Sequence, residues 1–284
     1  IFVDVNSTTL NACATTGCSP VRFFVRSGVT YTPGGRIVTH DFRNDGTFTA
    51  GAFTHELNGS WDNNSSANLT NSTIIFAATS TTESVDSTGA SLATFNNIRF
   101  GTTTGSATFT LGSTLDVDGT FTVSRGTLAR ASTAITVAGN LLTEANGFWT
   151  GVGTTTFDGN GATTWRDQNA TLQNIGRVVV DGTSKAVTLA SNVASQSVFI
   201  GANDTLDASA SNYDITIYGV WVNQNNFVPR QGEVFFAATS SGQSITTAGD
   251  SFYDLTFNGT SGGWSFTETT VSVSNNIRFQ AGSA

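Results

Sequence analysis

The sequence predicts an all-β protein: a β-solenoid, or parallel β-helix, in which turns of about 20 residues stack on one another. Three observations predict this fold. Short runs alternate apolar and polar residues, glycines recur about every 20 residues, and blocks of related sequence recur about every 80 residues. A row of small β-sandwich domains, one for each block, is the alternative architecture.

Strands and turns account for the local patterns. Residues 120–123 and 215–218 alternate apolar and polar side chains, which buries one face of a strand and exposes the other. The best helical candidate, residues 139–147, is short and ends in glycine, so no helix is expected. Asp-Gly pairs, which favour tight turns, occur at positions 45–46, 118–119, 158–159 and 181–182.

The longer repeat comes from blocks that follow one another in a constant order. One such block occurs three times and contains Gly59, Gly139 and Gly219, so successive copies are about 80 residues apart. A shorter period of about 20 residues lies inside the longer one, since residues 116–122 resemble residues 136–142. The predicted divisions are an N-terminal strand, cap or assembly region at 1–53, repeat A at 54–134, repeat B at 135–214 and an incomplete repeat C at 215–284.

The composition fits stacked turns. Only 11% of the residues are charged, compared with about 25% in a typical soluble domain. In a solenoid, equivalent side chains lie directly above one another, so like charges would repel, whereas Thr, Ser and Asn stack without that penalty and Asn ladders add hydrogen bonds. The 21 phenylalanines supply a large core.

Composition also excludes partners. The net charge of -8, without a basic cluster, argues against nucleic acid. No apolar run reaches about 18 residues, so no membrane span is expected. Residue 1 is Ile and no signal peptide is visible, which indicates a mature form or a piece of a longer protein.

Three groups of aspartates are candidates for chemistry: Asp116 with Asp118, Asp204 with Asp207 and Asp214, and Asp250 with Asp254. A glycosidase needs two carboxylates about 5–9.5 Å apart. A shift of one turn, about 20 residues, places Asp116 on Thr136, Asp118 on Ala138 and Asp158 on Val178, near Asp181. It gathers no cluster of three acids. The sequence therefore predicts no catalytic residue, no metal site and no cofactor.

Histidine and tryptophan positions favour packing. His55 lies where the related blocks have Val137 and Ile217, so it is interpreted as a partly buried substitution rather than a ligand. Trp61 and Trp221 both follow a repeat glycine by two residues, which indicates a packing role. Three tryptophans lie near glycine or polar residues, where core packing is favoured over an exposed sugar-stacking platform: Trp149, Trp165 and Trp264.

Two further patterns indicate an extracellular setting. Cys13 and Cys18 are too far apart for a Cys-x-x-Cys motif and have no nearby histidine. A local disulfide is favoured over two buried thiols, and it would require an oxidising compartment. Asn-x-Ser/Thr triplets, the acceptor pattern for N-glycosylation, cluster at Asn58, Asn63, Asn64, Asn68 and Asn71.

Two phrases carry a resemblance to known proteins. Residues 115–128 read Leu-Asp-Val-Asp-Gly-Thr-Phe-Thr-Val-Ser-Arg-Gly-Thr-Leu, and residues 252–260 read Phe-Tyr-Asp-Leu-Thr-Phe-Asn-Gly-Thr. Both resemble the repeats of adhesin-like β-solenoid proteins of bacterial cell surfaces, over residues 54–284 and more loosely over 30–53. The resemblance implies an extracellular structural or adhesive role and carries over no catalytic residue.

The sequence thus predicts a non-enzymatic structural protein of the cell exterior, a fibre subunit or an adhesin stalk. The alternative is a carbohydrate-binding or polysaccharide-degrading β-helix module. Other copies of the chain are the expected partners, and cell-surface glycans are the second candidate. Alternating end strands, which could pair with a neighbouring subunit, contain Ile1, Phe2, Val3 and Val5 at one end and Val271, Val273, Ile277 and Phe279 at the other.

Overall fold

The computed structural model describes residues 2–3, 22–88 and 93–283, with residues 2–3 and 282–283 described for their backbone only. All regular structure in this part of the chain is β-strand, as the sequence predicts. No helix that could span a membrane occurs among these residues. The chain divides into two compact units: unit 1 contains residues 1–139 and 143–150, and unit 2 contains residues 140–142 and 151–284.

Most strands of unit 1 are short, because the chain turns a corner after every few residues. The strand β16, Leu141–Thr150, begins in unit 2 and ends in unit 1. The others are β1 Phe2–Val3, β2 Phe23–Val25, β3 Thr30–Tyr31, β4 Val38–Thr39, β5 Phe42–Asn44, β6 Thr47–Thr49, β7 Thr54–Leu57, β8 Trp61–Asn63, β9 Ser66–Phe76, β10 Thr82–Ser87, β11 Thr94–Phe100, β12 Thr108–Leu111, β13 Leu115–Val117, β14 Phe121–Ala129 and β15 Ile135–Val137.

Unit 2 is built in the same way, and its two longest strands come last. They are β29, with 15 residues, and β30, with 11. Its strands are β17 Thr154–Phe157, β18 Asn160–Asp167, β19 Arg177–Val180, β20 Ser184–Leu189, β21 Val193–Ser195, β22 Ser197–Ile200, β23 Thr205–Asp207, β24 Ile215–Ile217, β25 Trp221–Asn223, β26 Asn226–Val228, β27 Glu233–Phe236, β28 Gln243–Thr246, β29 Phe252–Phe266 and β30 Val273–Ser283.

Within unit 1, strands pair in parallel with the equivalent strand of the next turn. One register column runs through Phe23, Phe42, Trp61, Val85 and Leu111. Side chains that bond between adjacent turns of this unit are 19 to 26 residues apart in the sequence. Parallel neighbours at such intervals define a β-solenoid.

Unit 2 shows the same arrangement. A column there runs through Val178, Val198, Trp221, Ile245 and Phe266. Groups that bond between adjacent turns of this unit are 19 to 27 residues apart. The solenoid fold and its turn of about 20 residues are therefore confirmed in both units. The grouping of turns into larger repeats stays a prediction from the sequence.

The core of each unit consists of side chains stacked along these columns. In unit 1 the rings of Phe23 and Phe42 are 5.8 Å apart, and those of Phe42 and Trp61 are 4.5 Å apart. In unit 2 the ring of Phe257 lies 5.5 Å from that of Phe236. Aromatic pairs at such distances add stability beyond the area that they bury.

Buried asparagines make hydrogen bonds between turns, and one of these bonds joins two asparagines, as the composition predicts. Asn44 and Asn63 are both buried, and the Asn44 Nδ2 donates to the Asn63 Oδ1 at 2.7 Å. In unit 2 the buried Asn223 donates from Nδ2 to the Thr247 carbonyl and to the Asp250 carboxylate, both at 2.8 Å. These bonds satisfy amide groups that would otherwise be costly to bury.

Several charged side chains pair with an opposite charge on another turn. Arg22 lies 2.8 Å from Asp41, one turn away. Arg99 lies 3.0 Å from Glu144, which is two turns away in the sequence. Because these pairs are exposed or half-exposed, each contributes at most about 1 kcal/mol.

Like charges on adjacent turns do occur, contrary to the simplest expectation from stacking. Asp62 lies opposite Asp86, and Glu233 lies opposite Asp254. Arg43 lies 3.7 Å from Asp62, and Arg278 lies 3.0 Å from Glu233. A nearby arginine therefore accompanies each pair and offsets the repulsion.

Residues 139–147, the best helical candidate, contain the start of strand β16 instead. The strand continues through Gly147, where an added Cβ would lie only 2.2 Å from the Val123 carbonyl oxygen. The glycine therefore permits close approach of two backbones, and it does not mark the end of a helix.

Candidate functional site

An open groove lies on the outer surface of unit 2, where side chains from successive turns come together. Its volume is about 380 Å³. The Asn174 Nδ2 donates to the Gln196 Oε1 at 3.3 Å, and the Gln196 Nε2 donates to the Tyr218 carbonyl at 3.3 Å. We call this the amide groove; it is lined by Asn174, Gln196, Tyr218, Ala237, Thr239 and Ser240.

The lining of the amide groove is uncharged and mixed in character. Amide and hydroxyl groups can donate and accept hydrogen bonds. The Tyr218 side chain is 38% exposed and offers an aromatic surface beside them. An aromatic face flanked by hydrogen-bonding groups suits a ligand that has both C–H and O–H surfaces. The sequence did not indicate this site, because its residues are ordinary polar ones that only the stacking of turns brings together.

Acidic side chains flank the single lysine of the chain in unit 2. Asp204 accepts hydrogen bonds from the backbone N–H of Lys185 at 2.6 Å and from that of Gly182 at 3.1 Å. Burial lowers the pKa of the Lys185 ammonium, and the charges of Asp158 and Asp204 oppose that shift. The carboxylate of Asp204 therefore both fixes the backbone of this turn and offsets a buried positive charge.

The predicted alignment of Asp158 with Val178 is wrong. Val178 pairs with Thr155, and Phe157 pairs with Val180, so this turn is longer than the period that the sequence suggests. Asp158 is consequently level with Asp181. The Asp-Gly pairs at 158–159 and 181–182 are equivalent corners of adjacent turns, and aligning them would have revealed the longer turn.

Other aspartates link neighbouring turns. The Asp116 carboxylate accepts from the Thr94 hydroxyl at 2.8 Å and from the Thr136 hydroxyl at 2.7 Å, one turn to either side. The predicted alignment of Asp116 with Thr136 is confirmed. Where the chain is described, no group of three or more His, Cys, Asp or Glu side chains is arranged to hold a metal ion.

His55 occupies a core position of unit 1, as the comparison of blocks predicts, and it is fully rather than partly buried. Its neighbour on the next turn is Ile74. Its Nδ1 accepts from the Ile37 N–H at 3.1 Å, and its Nε2 lies 3.0 Å from the Ala50 carbonyl oxygen. The pKa of His55 is lowered by burial, and Arg36 adds to this, while the hydrogen bond to Ala50 acts against it.

Acidification from about pH 7.5 to about pH 5.5 is expected to destabilise unit 1 through His55. The folded-state pKa lies below the ordinary value of 6.5, so the unfolded chain takes up a proton first. Stability is then complete above about pH 6.5 and falls below it, by at most about 1.4 kcal/mol per pH unit. Urea unfolding at several pH values should show this slope in the wild type.

The matched variants are His55→Leu, which removes the titrating group from the core, and His40→Gln, which removes the half-exposed histidine. The His55→Leu protein is expected to lose most of the slope, although it is less stable at every pH because two hydrogen bonds are gone. The His40→Gln protein should keep the slope. An equal slope in the wild type and in His55→Leu would contradict the assignment.

His40, Asp41 and Ser60 lie together in unit 1, but their hydrogen bonds do not connect the Ser60 hydroxyl through His40 to Asp41 as in a catalytic triad. The His40 Nδ1 is 2.8 Å from the Asp41 carboxylate, which also accepts from the Ser60 N–H at 3.1 Å. Burial acts to raise the pKa of Asp41, but the hydrogen bonds from Ser60, His40 and Arg22 outweigh it and lower the pKa. The Ser60 hydroxyl donates to Glu83 at 2.8 Å rather than to the imidazole.

The tryptophans pack in the core, as favoured from the sequence. Trp149 donates from Nε1 to the Thr143 hydroxyl at 2.9 Å, and the Arg130 guanidinium lies 5.3 Å from its ring. Burial lowers the pKa of Arg130 to about 10, so the group stays charged at neutral pH. The alternative of exposed platforms is wrong, since all five are buried: Trp61, Trp149, Trp165, Trp221 and Trp264.

The predicted modification sites differ in accessibility. Asn63 is buried in the asparagine ladder, where its Nδ2 donates to the Ser65 carbonyl at 2.9 Å. The other four glycosylation candidates are exposed, and glycosylation there stays a prediction: Asn58, Asn64, Asn68 and Asn71.

Cys13 and Cys18, the predicted disulfide pair, lie outside the described residues.

The predicted end strands are described in part. Ile1 and Val5 lie outside the described residues, whereas Phe2–Val3 forms β1 and pairs in parallel with β2. At the other end Val271 precedes β30, which contains Val273, Ile277 and Phe279. Strand β30 pairs with β29. A role of these strands in assembly stays a prediction.

No family model, curated protein or solved structure matches the chain. The β-solenoid fold therefore follows from the strand pairing itself. A relationship to bacterial surface adhesins stays an expectation from the sequence phrases at 115–128 and 252–260.

Proposed function

We propose that this chain is a non-enzymatic structural protein of the cell exterior, a stretch of a surface fibre or an adhesin stalk. The observation that carries the proposal is the continuous parallel ladder within each unit. Each interior turn pairs with the turns on either side, and apolar, aromatic and asparagine columns fill its inside. Opening one turn would disrupt two interfaces, which favours a stiff element.

The surface chemistry suits an extracellular setting. The accessible acceptor sites, Asn58, Asn64, Asn68 and Asn71, are exposed and close to one another in the sequence of unit 1. The predicted disulfide between Cys13 and Cys18 and the resemblance to bacterial surface repeats point in the same direction. Cross-turn contacts use carboxylates such as Asp116 and Asp204 as hydrogen-bond acceptors, a structural use of groups that catalysis would need free.

Immunogold electron microscopy of the source cells tests this proposal. Antibodies raised against the purified chain are expected to label fibres or stalks outside the cell envelope. Labelling confined to the cytoplasm would overturn the proposal.

A second candidate function is the binding of a neutral glycan, and the amide groove is the observation that favours it. Sugar rings have C–H faces that stack on aromatic side chains and hydroxyls that bond to amides. The groove is uncharged, and the net charge of -8 disfavours acidic polymers. Among carbohydrate roles, these features favour binding over degradation.

Affinity electrophoresis with mannan, xylan and dextran tests this candidate, with polygalacturonate as the acidic comparison. The Tyr218→Ala variant is expected to weaken binding to a retarding neutral polymer at least about tenfold, because one stacking face is lost. The Phe148→Ala variant removes an exposed aromatic ring from unit 1 and should bind like the wild type. Unchanged migration in all the neutral polymers would contradict the second function.

A further inference from the structure

The residues that line the amide groove come from successive turns of unit 2. Asn174, Gln196 and Tyr218 lie a few residues before β19, β22 and β25. Thr239 and Ser240 lie a few residues before β28. These four strands pair in parallel, each with the next. The groove therefore crosses four turns in a row and runs along the stack of turns rather than around one of them.

The length of the groove follows from the ladder beneath it. Adjacent strands of a parallel ladder are about 4.8 Å apart, so the three spacings between four turns amount to about 14 Å. A ligand that lies along the groove would meet a new set of side chains at every turn. The repeat distance that the groove presents to a ligand is thus the stacking distance of the solenoid.

Two adjacent turns present the same hydrogen-bonding capacity to a ligand. A side-chain amide offers two N–H donors and an oxygen with two lone pairs. Gln196 donates once, to the Tyr218 carbonyl, and accepts once, from Asn174. Asn174 donates once in that bond, and its Oδ1 accepts from the Gly176 N–H at 3.0 Å. Within the described part of the chain, each amide therefore keeps one donor and one acceptor for a ligand.

The next two turns add an aromatic ring and hydroxyl groups. Tyr218 is 38% exposed, and both Thr239 and Ser240 are exposed. The Ser240 hydroxyl accepts from the Gln243 Nε2 at 3.2 Å, which leaves its proton for a ligand. The order of groups along the stack is consequently amide, amide, aromatic ring and hydroxyls, and all of them are uncharged.

We infer that the amide groove binds a linear, extended neutral glycan that lies along the stack of turns, with about one sugar ring on each turn. The inference rests on the second candidate function, the binding of a neutral glycan, and names the shape of the ligand. An extended chain of sugars carries hydroxyls on every ring, and its advance from ring to ring is close to the distance between turns. One ring stacks on Tyr218, and its neighbours bond to the amides on one side and to the hydroxyls on the other.

An extended peptide is the competing occupant, and its repeat fits the groove less well. Backbone groups that point to one side of a strand recur at every second residue, or about 6.7 Å. The turns of the groove are about 4.8 Å apart. A peptide could therefore not make the same bonds to Asn174 and Gln196 on adjacent turns, whereas a glycan could.

Isothermal titration calorimetry of the purified chain with cello-, manno- and xylo-oligosaccharides of two, four and six rings tests the inference. In at least one series, four rings are expected to bind at least about fivefold more tightly than two, and six rings no more than about twofold more tightly than four. Maltohexaose has a curved chain and is expected to bind at least about fivefold more weakly than the best extended hexaose.

Two variants distinguish the stacked ring from rings further along the groove. Tyr218→Ala should weaken the binding of every length, because each ligand can occupy the stacking position. Asn174→Ser removes an amide two turns away, or about 10 Å, so it should weaken four rings and leave two rings unchanged. A serine oxygen can still accept from the Gly176 N–H, which preserves the local turn. Gln231→Ala removes an exposed amide of unit 2 outside the groove lining and should bind every length like the wild type.

The possible failures of this inference and of the second candidate function differ. Equal affinity for two and six rings, or for maltohexaose and the extended hexaoses, would overturn the axial arrangement while leaving neutral-glycan binding intact. A blocked hexapeptide of alternating threonine and valine that binds as tightly as the best hexaose would overturn it as well. Unchanged migration in the neutral polymers, together with no heat of binding from any oligosaccharide, would reject the second candidate function itself.

Discussion

Replacing Trp61 by alanine is expected to lower the free energy of unfolding of unit 1 by about 3–5 kcal/mol. The side chain is 1% exposed. Its ring lies 4.5 Å from that of Phe42 on the preceding turn and 5.5 Å from that of Phe95. Truncation leaves a cavity between turns that are fixed by backbone ladders on both sides, so the surroundings have little freedom to collapse.

Urea denaturation followed by circular dichroism measures this loss, and Phe148→Ala is the control. Phe148 is an exposed aromatic side chain in the part of β16 that belongs to unit 1. Its truncation should change stability by no more than about 0.5 kcal/mol. Equal losses in the two variants would contradict the view that stacking inside the turns stabilises the unit.

A Trp61→Phe variant separates ring stacking from hydrogen bonding. The Trp61 Nε1 donates to the Ser87 hydroxyl at 3.1 Å, and both residues are buried. Phenylalanine keeps a stacked ring, removes the donor and leaves a smaller cavity, so its effect should fall well below that of alanine. If both variants are equally unstable, the hydrogen bond rather than the ring stacking is the main contribution of Trp61 to the stability of unit 1.

The sequence was most informative about what repeats in every turn. Alternation along residues 215–218 predicts a strand, and Ile215–Ile217 is β24. The shift of one turn aligns Asp116 with Thr136, as observed. His55 was assigned to the core because related blocks have apolar residues there, and it is buried. Such features depend on a strand and its direct neighbours, which the local sequence encodes.

Corners of the solenoid were the part that a fixed period could not predict. Side chains that bond to one another on adjacent turns of unit 1 are 19 to 26 residues apart, because a loop can lengthen at a corner without changing the strands on either side. The turn between β17 and β19 is longer than the predicted period, so Asp158 does not align with Val178. The same uncertainty hid the amide groove, since Gln196 and Tyr218 become neighbours only when the loop lengths between them are known.

Replacing Gly101 by alanine is expected to destabilise unit 1 more than an ordinary glycine substitution does. Gly101 has a φ of +80°, and a Cβ there would lie 2.1 Å from the Arg125 carbonyl oxygen on the following turn. Its N–H donates to the Phe76 carbonyl at 2.8 Å on the preceding turn. The residue is therefore held between two backbones, and neither can move away without breaking ladder hydrogen bonds.

Gly28→Ala isolates the conformational part of this effect. Gly28 has a φ of +78° in the same unit, and an added Cβ would meet nothing within 4 Å. Left-handed backbone alone should cost Gly28→Ala about 1–2 kcal/mol. Steric overlap should add about 1–3 kcal/mol for Gly101→Ala, which urea denaturation of both variants can resolve. Equal losses would mean that glycine is needed at Gly101 for its φ alone; a larger loss at Gly101 would show that close contact between turns also requires glycine.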